Sequence, residues 1–452
     1  MIDELDWVRR ARPQVEAPSQ QARRRGRSAL DEAIGRASTR RRRARRVSWL
    51  SPGKLAPVAA LLVVVAVVGV FLGTRTRKPA ASVAPGGPEL VFRAEPAADV
   101  RGVSGEAVTR AAALLQTLTG SLPGEHGAVS VTRSGDRVVV HVGRATPVTR
   151  LRILSLAGVT GRLGFYDWEA NALTPAGKSV ASGLARQDPS ALQISQGSGT
   201  LAPGSVGAGS VSLSNAVRLA AEQPLHASAN NGRPGAQYFA FGGPGSSACA
   251  AAARYYGTRL APGTRCYLAG PAPSADLLTA LLPPGAAPGL AETLTVPAGT
   301  VVLQAVPSGG FARGSTLADP TAQFYVLRDH PGIPSTGVTN PRPGADASGS
   351  PGVTFGFTSR GARAFSQMTA QVSHRGDLVS GLGETLDQHF AVALGDQLVT
   401  VPSIDFKTYP DGIPGNEGAD ITGGFTRRSS QTAVLEVRLG SLPIVLRLVE
   451  AS

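Results

Sequence analysis

Six histidines, two cysteines and one acidic loop are the residues of this chain whose types invite chemistry. His126, His141, His226, His330, His374 and His389 are scattered, with no HExxH motif and no paired spacing. Each therefore reads as a surface or half-buried side chain rather than a ligand or a base. GPGSSA, from Gly243, lacks the second glycine of a GxSxG nucleophile elbow and reads as a loop. No GxxxxGKS or GxxxxGKT phosphate loop occurs, and GSGTLAPG reads as a linker. In DGIPGNEGAD, the residues Asp411, Asn416, Glu417 and Asp420 have the composition of calcium ligands. The alternating spacing of an EF-hand loop is missing, so turn chemistry accounts for them. Phe355, Phe357 and Phe365 fall at strand and helix spacing on inward faces, which makes them core rather than a peptide site. The sequence thus offers no catalytic, cofactor-binding or metal-ligating residue, and predicts a protein that is not an enzyme.

Cys249 and Cys266 remain. If they lie outside the cytoplasm, an oxidising compartment permits a disulfide that closes a modest loop and staples the fold. Two free buried thiols are the competing reading. A redox or metal site is disfavoured because there is no CxxC and no nearby histidine.

Where the cysteines lie depends on topology. The net charge of +14 would suit a nucleic-acid partner if it were spread over the protein. Instead, the residues up to Lys78 hold 18 Lys and Arg against 6 Asp and Glu, and the rest holds 27 against 25. The bulk is nearly neutral, and no nucleic-acid partner is expected. Residues 55–73, LAPVAALLVVVAVVGVFLG, form an uncharged apolar run close to the ~20 residues that span a bilayer as a helix. The arginines at 40–43, 45 and 46 precede it, and such flanks stay on the cytoplasmic side. A cleaved signal peptide would have a shorter charged region, an apolar core of roughly 7 to 15 residues and a small-residue site at its end. The expectation is a single-pass cell-membrane protein with its N-terminus in the cytoplasm and its bulk outside.

The parts follow in order. Residues 1–54 are an arginine-rich cytoplasmic tail, 55–73 the transmembrane helix and 74–88 a Pro/Gly/Ala linker. Within 89–170, ELVFRAE reads as a strand and Ser104 caps a helix carrying Val108, Ala111, Ala112, Leu115 and Leu118 on one face. GAVSVTR and DRVVVHV read as a strand pair turning at Ser134 and Gly135. Thr146 and Pro147 open a second helix ending at Gly158, and VTGRLGFYDW closes the unit. That order, β-α-β-β-α-β, is ferredoxin-like. Residues 171–320 are a Gly/Pro/Ala-rich extension with partial α+β structure. There SLSNAVRLAAEQP and a segment capped by Ser274 read as helices, and AQYFAF, RCYLAG and TVVLQAV as strands. In 321–452, VTFGF precedes a helix stopped at Gly376, and FAVAL and QLVTVPSI form a hairpin around Gly395 and Asp396. A helix ending at Gly440 leads to a last strand, IVLRLVE, completing a second α+β unit.

Several segments resemble the first extracytoplasmic domain of SecD, a subunit of the Sec protein translocase. They are FYVLRDHPGI at Phe324, VTFGFTSRGARAFSQMT at Val353, FAVALGDQLVTVPSI at Phe390, ITGGFT at Ile421 and VRLGSLPIVLRLVE at Val437. GGPELVFRAE, SGDRVVVHV and LAGVTGRLGFYDW extend the likeness, which covers about 86–170 and 321–450. It implies a SecD-type base over 89–170 and a SecD-type head and closing segment over 321–452. SecD proteins continue into helices that conduct protons. This sequence stops at Ser452, and 55–73 holds no ionisable residue, so the chain alone is not expected to couple proton flow. The resemblance implies a non-enzymatic module accessory to Sec-dependent export, with Sec translocase components or unfolded polypeptide as partners and no cofactor. The alternative is a transmembrane regulatory or signalling protein, since MIDELDWVRRARP resembles the tails of anti-sigma-type membrane proteins.

Overall fold

The computed structural model describes residues 88–452, except 98–99, 123–127, 144, 159–162, 196–209, 226–234, 261, 307–316, 334, 347–348, 381–386 and 423. The arginine-rich tail, the apolar run 55–73, the linker through 87 and GSGTLAPG lie outside the described residues, as do His126 and His226. Among the described residues no helix is long and apolar enough to cross a membrane.

The described residues begin with β1 (Glu89–Pro96), α1 (Gly105–Gly120), β2 (Ser130–Ser134), β3 (Arg137–His141) and α2 (Pro147–Gly158). β4 (Leu163–Asp167) leads into three short helices, α3 (Trp168–Asn171), α4 (Val180–Leu184) and α5 (Pro189–Ser195). Next come α6 (Leu213–Ala221), β5 (Gln237–Gly242), α7 (Ser247–Tyr256), β6 (Cys266–Ala272), α8 (Ala275–Ala280) and β7 (Ala291–Val296). β8 (Thr300–Ala305), β9 (Phe324–Arg328), β10 (Val338–Ala345) and β11 (Pro351–Phe357) precede the long α9 (Ser359–Ser380). β12 (Gln388–Leu394), β13 (Gln397–Thr400), β14 (Ser403–Ile404), β15 (Ala419–Thr422), α10 (Arg427–Gly440) and β16 (Ile444–Ala451) come last.

Local chemistry sets the helix starts. The Ser104 hydroxyl accepts from Ala107 N at 3.1 Å, and Thr146 Oγ1 from Thr149 N at 3.2 Å, each satisfying a donor that a first helical turn leaves orphaned. At α10, Thr426 and Ser429 cap each other's backbone.

The first sheet runs β16-β1-β3-β2, and here the structure corrects the sequence reading. The fourth strand of the ferredoxin-like sheet is the last strand of the chain, and β4 pairs with β12 in another sheet. Burial explains the exchange. β16 alternates, with Ile444, Leu446 and Leu448 inward against the β1 face of Leu90, Phe92 and Ala94, while Arg447 and Glu450 lie less buried on the opposite face. That pattern suits a sheet with one covered face. β4 is buried at every residue and needs cover on both faces.

It finds that cover in the second sheet, ordered β14-β12-β13-β8-β9 with β4 alongside β12. One face carries Leu163, Phe165, Phe390, Val392 and Leu394 against Phe355, Phe365, Met368 and Val372. The other carries Tyr166, Ala391 and Ala393 against Trp168, Val180, Leu184 and Ile194. The Phe165 ring lies 6.0, 5.9 and 6.5 Å from those of Phe355, Phe365 and Phe390, placing β4 at the centre of the aromatic core. α9 runs four residues past Gly376. There a side chain would meet Phe406 at 3.2 Å, so the glycine serves close packing instead of ending the helix.

A third sheet, β10-β11-β15, adds Val338, Val353 and Ile421 to the same core. The fourth, β6-β5-β7, makes residues 237–296 far more ordered than their composition suggests. β7 and α7 had no reading from the sequence.

Candidate functional site

Two groups of side chains and one set of strand edges stand out. The first group is a buried charge network. Asp167, the last residue of β4, caps α3 by accepting from Ala170 N at 3.1 Å. The Arg375 guanidinium of α9 grips the same carboxylate with both terminal nitrogens, Nη1 at 2.8 Å from Oδ1 and Nη2 on Oδ2. Two residues on, Glu169 accepts from His389 N at 3.0 Å and from Ser195 Oγ at 3.2 Å, and lies 2.8 Å from His389 Nδ1. Burial drives the Asp167 carboxyl from an ordinary 3.8 up to about 6, against the opposing pull of Arg375.

The His389 and Glu169 side chains are wholly inaccessible, so no substrate reaches them. The network clamps β4 and α3 onto α9 and β12. This corrects the reading of His389 as a surface or half-buried residue: it is fully buried because the Glu169 carboxylate satisfies it. His141 is half-buried, 2.8 Å from Glu89, while His330 and His374 are exposed. Phe355 and Phe365 are core, and Phe357 packs partly buried against them. Gly415–Glu417 form a 3-10 turn ahead of β15, on which Asp420 sits. Among the described residues no group of three His, Cys, Asp or Glu side chains gathers as a metal site.

The second group is the cystine. Cys249 and Cys266 are joined with Cα atoms 5.6 Å apart, tying the start of α7 to the start of β6. GPGSSA turns at its glycines, and Ser246 then caps α7 by accepting from Cys249 N at 3.2 Å. Gly242 lies under the sulfurs, where an added Cβ would fall 2.8 Å from each Sγ. Gly242→Ala is expected to cost about 1–3 kcal/mol by overpacking, and the cost should shrink when both cysteines are also alanine. Chemical denaturation of the single variant against the parent, and of the triple variant against the Cys249→Ala/Cys266→Ala double, measures both. Equal costs would mean that the alanine clashes with something other than the sulfurs.

The strand edges differ in how they are closed. Along β2, the Gln116 carboxamide of α1 accepts from Val131 N at 2.6 Å and donates to Val129 O at 3.4 Å, standing in for a further strand. On β10, Pro341 and Pro343 have no amide hydrogen. β16 carries Arg447, Glu450 and a bulge against β1, and runs against α2 and α8 with half of its residues buried. The outer side of β9 takes Leu173 N on Val326 O and a bridge from Val211. Gly332 N covers Phe165 O on β4, and the Tyr256 hydroxyl covers Leu268 O on β6. Natural sheets close edges in these ways to prevent unwanted pairing.

The model of the SecDF P1 head subdomain matches residues 313–444, which hold β9 to β15, α9 and α10. This head is SecD-like. Over 147 residues, 32% of its length, the chain is 29% identical to the protein translocase subunit SecD of Rhodobacter capsulatus, and the match spans 23% of that relative's length. Among solved structures, a SecDF described as a membrane component that enhances protein export aligns with 80% of this chain and 98% of its own, at 15% identity and a TM-score of 0.30. SecDF of Thermus thermophilus aligns with 81% of this chain and 30% of its own, at 17% identity and a TM-score of 0.24. The SecD-like head contains Arg375 and His389, and it receives Asp167 and Glu169 from β4 and α3, which lie before it in the chain.

Proposed function

We propose that the chain is a non-enzymatic, membrane-anchored, extracytoplasmic SecD-like module, accessory to Sec-dependent export, that contacts translocating or unfolded polypeptide. The match of 313–444 to the SecDF P1 head carries this reading. The translocase relative supports the export role over the regulatory alternative, which no observation favours. The apolar run 55–73 with its arginine flank supports the anchor and an N-terminus in the cytoplasm. On that topology Cys249 and Cys266 stay oxidised in the native membrane.

The client interaction is expected to be weak and sequence-independent. Ordering a flexible chain costs entropy, which limits affinity to micromolar, roughly −8 kcal/mol or weaker. Titrating the intact chain with a reduced, alkylated, unfolded polypeptide and with its folded form tests this. Binding should appear with the unfolded form only, and equal binding to both, or none at high micromolar concentration, overturns the proposal.

A further inference from the structure

We infer that β7 is the strand to which an extended segment of client polypeptide adds, by main-chain pairing along its outer edge. The inference rests on the polypeptide-contact reading and assigns that contact to a place outside the matched head.

β7 pairs with β5 on one side, Gln237 opposite Val296 through Gly242 opposite Ala291, with no register shift. Ala291 N donates back to Pro288 O, and on the outer side no backbone or side-chain group among the described residues bonds to Glu292–Val296 apart from the two arginines on the Glu292 carboxylate. α6 packs against β7, but no side-chain amide and no bridging backbone among the described residues closes its outer edge. AETLTV contains no proline, no lysine and no bulge. Its one charge is neutralised, since Arg218 lies 3.1 Å from Glu292 Oε1 and Arg265 grips Oε2. Thr293 is exposed, and Leu290, just before the strand, is 52% exposed.

Every second residue of this six-residue strand turns its amide and carbonyl outward, and that row is complementary to another extended backbone, whatever its side chains. That property suits clients recognised without regard to sequence. β15 is also unpaired on its outer side, but it is four residues long and carries an exposed Asp420.

Hydrogen–deuterium exchange of the intact chain in nanodiscs, with and without the reduced, alkylated polypeptide, tests the assignment. At saturating client, amides within 290–296 should exchange about tenfold more slowly, as expected for newly paired strand amides. The folded form of the same client should leave them unchanged. Client binding with protection elsewhere, at β15 for example, overturns the β7 assignment while leaving the function standing. Protection of 290–296 that appears without client and grows with protein concentration identifies the occupant as a second copy of this chain and also overturns it. Absence of client binding removes the function and the assignment together.

Discussion

Replacing Arg375 by alanine should destabilise the fold by about 3–5 kcal/mol, because it strands a buried carboxylate. Asp167 is 9% exposed, and its principal charge partner is the Arg375 guanidinium, 208 residues away in sequence. Removing the cation leaves the carboxylate with only the Ala170 amide. Arg375→Met combined with Asp167→Asn removes both charges at similar volume and should recover much of the loss, since the penalty belongs to the unpaired ion rather than to the missing contact. Urea denaturation of the parent and the two variants measures this. A double variant no more stable than Arg375→Ala would show that the loss comes from packing of the arginine stem.

The second large effect is a pH dependence centred on Glu436. This residue is buried on α10, near Arg152 of α2 and Asp396 of the β12–β13 turn, whose carboxylate accepts from Ser155 Oγ at 2.6 Å. Burial pushes the Glu436 carboxyl from 4.5 up to about 7; Arg152 opposes the rise and Asp396 adds to it. The folded state therefore holds this proton where the unfolded chain has released it. Stability is highest below the unfolded value and falls as the pH rises from about 4.5 to about 7, by about 3 kcal/mol in all. Asp167 slopes the same way between 3.8 and about 6. Glu436→Gln should flatten the upper part of that profile and make the protein more stable at pH 8 than the parent. Unfolding free energies at intervals from pH 4 to 8 test it, and an unchanged slope between pH 6 and 7 would exclude Glu436 as the titrating group.

Both effects arise where segments distant in the chain meet. Asp167 ends β4 and Glu169 follows it, and the head's sheet takes up that strand, whereas β16 returns to the first sheet. The crossing places β4 and the network behind it as the fastening between the matched head and the residues before it.

The sequence by itself determined the kinds of element and where most of them start, because those signals are local. Ser104, Thr146 and Ser274 cap helices where their spacing requires, and Gly395, with φ of +62°, turns the β12–β13 hairpin where only a left-handed residue serves. The SecD likeness was legible for the same reason, being carried by contiguous motifs. The tertiary structure alone decided which strands pair. β4 and β16 both read as strands, and proximity in the chain favoured β4 for the first sheet. The choice went instead to the number of faces each strand must bury. The charge network was invisible for a related reason. Asp167 with Arg375 and Glu169 with His389 stand 208 and 220 residues apart, and a buried ion's partner leaves no periodicity in the chain around it. The open edge of β7 likewise exists only once every other strand has found its neighbour.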